Sequence, residues 1–200
     1  DAVLVVFQTE SEAMRAIAEH WVIPDDTDDP RFRYYELPGA GHVFSAPFGA
    51  RGGSALALAE RLAASDEKPE YELYDNMNKP IMWHLYDGIT RWLEEGVPLP
   101  RSPRIARDPS TPDGVARDEH GNALGGLRTP WVDVPDATYI ARYPGATLNA
   151  GMKRFDDEQM RMLYGSRDEY EKRVRSRLDE MVDDGWIRPE DVDLMMPTPE

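Results

Sequence analysis

The chain has 200 residues, the size of one domain, and its 23 Lys and Arg against 38 Asp and Glu give a formal net charge of −15. So acidic a chain repels phosphate groups, which argues against nucleic acid or an anionic membrane surface as a partner. No apolar run approaches the ~20 residues of a membrane-spanning helix, and the lack of cysteine excludes disulfides, thiolate metal sites and a cysteine nucleophile.

The first 40 residues predict a strand, a helix and a second strand that pairs in parallel with the first. Residues 2–7 are a continuous apolar, β-branched run of the kind buried inside a parallel sheet. Residues 10–20 have helical apolar spacing, and residues 31–37 alternate polar and apolar side chains before Pro38. Because the chain begins within this first strand, without methionine or signal peptide, we expect a processed chain or an expressed piece of a longer one.

The remaining sequence divides by composition into a core part, a wrapping part and a helical part of one domain. Residues 1–96 hold the α/β unit, and residues 97–151, rich in proline and glycine, predict extended chain wrapped around a body, with a short hairpin at Gly121 and Asn122. Residues 152–200 are predicted to be helical. Beyond the first helix, further helices are predicted over residues 54–64, 80–95, 156–164 and 166–184.

Acidic side chains and one histidine follow the ends of the two predicted strands. In Leu37-Pro-Gly-Ala-Gly-His42, glycines allow a sharp turn that presents His42 at the carboxyl edge of the sheet, where open α/β sheets hold their sites. Glu10 and Glu12 follow the first strand at the same edge, in the chain order of the last two members of an α/β-hydrolase triad. The pattern does not separate the two glutamates, since either can instead serve the helix N-terminus, and His42 can be an ordinary turn residue.

A carboxylate beside a histidine fixes the imidazole tautomer and stabilises the imidazolium that forms when histidine takes a proton from serine. The serine motif G-x-S-x-G, however, occurs nowhere in the 200 residues. The nearest string, Gly52-Gly-Ser54-Ala-Leu, lacks the last glycine and comes after His42, so Ser54 is predicted to cap the following helix. We therefore expect the nucleophile on an upstream segment or a companion chain.

The sequence predicts no cofactor and no metal site. Two histidines in the H-E-x-x-H spacing of zinc hydrolases do not occur. The acidic residues between Pro24 and Pro30 lack the spacing and the glycine of a calcium-binding loop.

Several segments resemble the large alpha/beta-hydrolase domain-containing proteins, which are serine hydrolases mostly of unassigned substrate. The resemblance covers nearly the whole chain and is that of the C-terminal half of such a protein. The most distinctive segment, residues 118–135, is close to the family signature D-x-x-G-N-A-x-G-G-x-R-x-P-x-x-x-x-P. The other similar segments are Thr9-Glu-Ser-Glu12 after a strand, residues 35–42, Leu163-Tyr-Gly165 with Tyr170, and Gly185-Trp-Ile187.

This resemblance implies that residues 1–96 are the C-terminal part of an α/β-hydrolase parallel sheet and that a small-molecule carboxylic ester is the substrate. It implies that His42 is the general base, with Glu12 the preferred acid and Glu10 the second candidate. The glycines of Gly125-Gly-Leu-Arg128 suit close backbone packing, and Arg128 is able to pair with a carboxylate near the site. Without a nucleophile we expect no activity from this chain alone; the alternative is a non-catalytic binding or structural module of the same fold, and self-association is left open.

Overall fold

The computed structural model describes residues 2–23, 25–27, 29–42, 70–74, 79–144 and 149–197, so the predicted helix at 54–64 and Ser54 lie outside the described residues. The chain is a mixed α/β protein. Its described strands are β1 (Leu4–Thr9), β2 (Phe32–Leu37), β3 (Glu72–Tyr74), β4 (Ala137–Ile140) and β5 (Ala150–Arg154). Its described helices are α1 (Glu10–Ala18), α2 (Lys79–Glu95), α3 (Pro130–Asp133), α4 (Asp157–Tyr164), α5 (Arg167–Asp183) and a 3-10 helix (Pro189–Met195).

The predicted parallel strand–helix–strand unit is confirmed. β1 and β2 pair in parallel over their whole length, from Leu4 opposite Phe32 to Thr9 opposite Leu37. α1 begins directly after β1, because Thr9 caps the helix in a capping box. It ends two residues earlier than predicted, since His20 has a φ of 55°, in the left-handed region that a helix does not enter.

The first strand is less buried than its sequence predicts. All six residues of β2 are buried, whereas Leu4 of β1 is 59% exposed and the residues after it are mostly half-buried. The carbonyl of Glu36 in β2 accepts the N–H of Leu127 over 2.8 Å, so the wrapping segment covers that strand. Within the described ranges, β2 is the one strand that pairs with β1. Over the residues that the structure describes, the other edge of β1 therefore carries no paired strand.

The main core lies between the parallel strands and the helices α2 and α5. Its buried side chains include Tyr35, Leu37, Ile81, Leu85, Trp92, Tyr170, Val174, Leu178 and Met181. Both helices thus bury one apolar face, which does not include Leu93, a residue 56% exposed. A helix turns about 100° per residue, so Trp92 returns to within about 20° of Ile81, while Leu93 lies about 120° away from it.

A second sheet was not anticipated from sequence. β3, β5 and β4 form an antiparallel sheet in that order, and β5 spans the predicted boundary after residue 151. The predicted hairpin at Gly121 and Asn122 is present: Arg117 bridges Ala123 in antiparallel fashion, and Gly121 takes a φ of 81° at the turn. The helices in the described part of the chain are each too short or too polar to cross a membrane.

Candidate functional site

The site is built at one edge of the parallel sheet. Because β1 and β2 run in parallel and in register, Thr9 and Leu37 end at the same edge. The first turn of α1 follows Thr9 directly, and residues 38–42 follow Leu37. Side chains that are about 30 residues apart in sequence are therefore brought together here.

The structure places His42 against Glu12. Nδ1 of His42 lies 2.9 Å from Oε1 of Glu12. The other oxygen of Glu12, Oε2, accepts the backbone N–H of Thr9 over 2.8 Å and also lies 3.3 Å from its hydroxyl. The carboxylate thus serves the helix cap and the histidine at once, so its orientation is fixed by the start of α1.

The contact with Glu12 uses Nδ1, one of the two ring nitrogens of His42. The side chains of His42 and Glu12 are 50% and 31% exposed, so solvent or another segment can reach them. A carboxylate at Nδ1 favours the tautomer with the proton on Nδ1 and the lone pair on Nε2. Among the residues that the structure describes, none forms a hydrogen bond with Nε2. The arrangement can therefore accept a proton at Nε2.

Glu10 lies in a different environment from Glu12. Its side chain is fully buried, with Oε2 accepting the N–H of Gly39 over 2.7 Å and Oε1 accepting from Nη2 of Arg117 over 2.9 Å. Burial raises the pKa of Glu10, against the opposing effect of the Arg117 charge and the Gly39 hydrogen bond. Spacing alone left the two glutamates open and the resemblance favoured Glu12, which is the one that contacts His42.

Among the described residues, the site contains neither a serine hydroxyl bonded to His42 nor a cluster of metal ligands. The buried hydroxyl of Ser11 lies 3.2 Å from that of Thr9, and no described serine contacts His42. The described ranges also contain no cluster of three or more His, Cys, Asp or Glu side chains that could hold a metal ion.

The signature at residues 118–135 forms the hairpin turn at Gly121 and bonds it to β4. Asp118 accepts the N–H groups of His120 and Asn122, which closes the hairpin turn. Asn122 is fully buried, and its amide donates to the carbonyl of Ala137 over 3.1 Å while its oxygen accepts the N–H of Tyr139 over 2.7 Å. The asparagine side chain thus makes the hydrogen bonds that a neighbouring strand would make to β4.

Close packing explains the glycines and the arginine of this signature. Gly126 has a φ of 73°, and a Cβ there would lie 2.7 Å from the carbonyl oxygen of Glu36. Arg128 binds the carboxylates of Asp133 and Asp118, and it has no bond to Glu12 among the described contacts. The acidic partners of Arg128 therefore belong to the signature itself and not to the sheet edge that holds Glu12 and His42.

Two arginines that the sequence did not indicate contact the first turn of α1 at the site. Arg117 reaches Glu10, and Nη2 of Arg142 donates to the carbonyl of Ser11 over 2.9 Å. These residues lie more than 100 positions from their partners, so no local spacing signals the contact. The one available signal is that Arg117 directly precedes the signature.

Comparison with known proteins gives one family match. A family model described as an alpha/beta hydrolase domain matches residues 2–197, which include both parallel strands, Glu12, His42 and the signature segment. No curated protein and no solved structure matches the chain.

Proposed function

Because the chain belongs to the alpha/beta hydrolase domain family, we propose that it supplies the acid and the base of a serine hydrolase acting on carboxylic esters. Family membership indicates hydrolase activity. The observation that carries the finer proposal is the 2.9 Å contact between Nδ1 of His42 and Oε1 of Glu12 at the sheet edge. His42 is the general base, and Glu12 is the acid that orients it.

In the proposed reaction, Nε2 of His42 takes the proton of a serine hydroxyl while the serine oxygen attacks the ester carbonyl. Glu12 stabilises the imidazolium that results. The imidazolium then gives its proton to the departing alcohol, which leaves an acyl-serine. A water molecule, deprotonated by His42, attacks the acyl-serine, and the serine recovers its proton as the carboxylic acid leaves.

The serine itself comes, in this proposal, from an upstream segment or a companion chain. The support is the absence of G-x-S-x-G from all 200 residues. The half-exposed β1 supports it further, since among the described residues β1 is paired on one edge only, and its other edge can take another strand of a parallel sheet. That segment would also supply the oxyanion-hole donors.

The missing serine motif equally favours a second candidate, a non-catalytic binding or structural module of the same fold. The two candidates differ in whether an activated serine exists in the assembled protein. They agree that the chain alone does not hydrolyse esters.

A fluorophosphonate probe, which reacts with activated serines, tests the proposal. The chain alone and the chain joined to the polypeptide encoded upstream are treated with the probe, and mass spectrometry locates the label. We expect no label on the chain alone and a label on a serine outside these 200 residues in the longer polypeptide, together with p-nitrophenyl ester hydrolysis. A label on a serine within the chain would overturn the location of the nucleophile. No label in either sample would favour the non-catalytic module.

A further inference from the structure

Glu10 lies beside the proposed catalytic pair without touching it. Burying a carboxylate is costly unless its oxygens are paired. The two oxygens of Glu10 are bonded to two separate segments, one to the N–H of Gly39 and the other to Arg117. Glu10 thus links the start of α1 to residues that are 29 and 107 positions away.

Residues 38–42, here called the histidine turn, are held on α1 by backbone bonds. The N–H of Gly39 donates to Glu10 over 2.7 Å, and the N–H of Ser11 donates to the carbonyl of Ala40 over 3.2 Å. Gly39 has a φ of 70°, so the turn uses a backbone conformation that depends on glycine. Because Glu12 lies in the same helical turn as Glu10, these bonds set the position of His42 relative to Glu12.

Arg117 is itself fixed, so it is a firm support for Glu10. Its guanidinium also pairs with the carboxylate of Asp113 and donates to the carbonyl of Gly121 over 3.1 Å. Planar guanidinium groups that make several such bonds keep one orientation. The hairpin that contains Arg117 therefore holds the first turn of α1 through Oε1 of Glu10, while the histidine turn is bonded to Oε2.

We propose that Glu10 and Arg117 are positioning residues: the ion pair between the buried Glu10 carboxylate and Arg117 holds the histidine turn on α1, so that Nδ1 of His42 stays on Glu12. The effect of this ion pair on catalysis rests on the proposed function. Its effect on the contact between His42 and Glu12 is measurable on the chain itself. Glu10 then acts through the backbone of the histidine turn and is not a second triad acid.

Glu36 provides a matched control with the same chemistry in another place. Its side chain is fully buried, Oε1 accepts from Nη2 of Arg107 over 2.8 Å, and Oε2 accepts the N–H of Ile105 over 2.7 Å. In both glutamates, replacement by glutamine turns one acceptor into an NH₂ group that faces a donor, so one hydrogen bond is lost. The difference is that the bonds of the Glu36 carboxylate do not reach the histidine turn.

The test is the ¹⁵N NMR spectrum of the His42 side chain at neutral imidazole, which reports the ring nitrogen that carries the proton. We expect the Nδ1-protonated tautomer in the wild type. Glu10→Gln and Arg117→Met should shift His42 toward the Nε2-protonated form that an unrestrained imidazole prefers. Glu36→Gln and Arg107→Met should give the same His42 spectrum as the wild type. In a hydrolytic assembly, the Glu10 and Arg117 variants should lower kcat on the order of 100-fold with KM unchanged.

The proposal is overturned if Glu10→Gln and Arg117→Met keep the wild-type tautomer, or if the Glu36 and Arg107 variants shift it equally. If Arg117→Met does not fold, Arg117→Lys is compared with Arg107→Lys. Because lysine lacks the planar guanidinium, Arg117→Lys must still shift His42 toward the Nε2-protonated tautomer, by less than Arg117→Met would, and Arg107→Lys must not. If the wild-type assembly shows no hydrolysis, the proposed function fails, while the tautomer still decides whether Glu10 and Arg117 position His42.

Discussion

Nδ1 of His42 lies 2.9 Å from Oε1 of Glu12, across 30 residues of sequence. Two local features produce this contact. The parallel register of β1 and β2 brings the two strand ends to one edge, and the capping box at Thr9 turns the Glu12 carboxylate back toward that edge. An ordinary helix start thereby places an acid where a turn presents a histidine.

Glu12→Gln should remove the proposed acid while it preserves the helix start, because a glutamine oxygen still accepts the N–H of Thr9. We expect kcat for ester hydrolysis in the assembled protein to fall about 10⁴-fold, since the amide no longer stabilises the imidazolium. Glu19→Gln, which changes an exposed ion pair with Arg15 near the end of the same helix, is the control and should keep wild-type kcat. Wild-type turnover in Glu12→Gln would remove Glu12 from the triad.

Gly126→Ala should destabilise the fold more than the same change at Gly96. Both glycines have nearly the same positive φ, 73° and 72°, so both variants carry a similar backbone strain of about 1 kcal/mol or somewhat more. A Cβ at Gly126 would in addition meet the Glu36 carbonyl oxygen at 2.7 Å, whereas at Gly96 it would meet nothing within 4 Å. Urea denaturation should therefore give a lower free energy of unfolding for Gly126→Ala, and equal values would contradict the close packing.

Asn122→Ala should destabilise the antiparallel sheet. The change leaves the carbonyl of Ala137 and the N–H of Tyr139 buried without these partners. Each lost partner should lower the free energy of unfolding by about 1–3 kcal/mol. Thr138→Val is the comparison, because it removes one bond to the carbonyl of His120 at a partly buried position and should cost about 1 kcal/mol. The midpoint of urea denaturation measures both, and a smaller loss for Asn122→Ala than for Thr138→Val would argue against the strand-like role of the asparagine.

The stability of the wild type relative to Glu10→Gln should depend on pH. Burial raises the pKa of Glu10 above its ordinary value of 4.5, with Arg117 lowering it and Asp113 adding to the rise. The folded state then binds the proton more tightly than the unfolded chain, so this contribution to stability is full below pH 4.5 and is lost as the pH rises through the folded pKa.

The wild type should therefore gain stability over Glu10→Gln as the pH is lowered through that window. Urea denaturation of both proteins at a series of pH values measures the difference. A difference that stays constant, or that grows with rising pH, would show that the folded environment does not raise the pKa of Glu10.

Local patterns predicted the edge of the parallel sheet and left its finer arrangement open. Apolar runs, alternation and the glycines before His42 were sufficient to place His42 beside the end of β1. The assignment of Glu12 rather than Glu10 to His42 depends on bonds from Gly39 and Arg117, which no spacing encodes. The antiparallel sheet was missed for a related reason: its strands have three to five residues and pair across distant segments, such as Tyr74 with Ala150. Tertiary contacts decide such elements.

The most direct test of the central claim is kcat for ester hydrolysis by the assembled protein carrying His42→Ala. We expect a loss of about 10⁴-fold or more relative to wild type, because the serine then has no base. His20→Ala, which removes an exposed histidine at the end of α1, should keep wild-type kcat. Undiminished turnover in His42→Ala would contradict the assignment of His42 and Glu12 as the base and acid of a serine hydrolase.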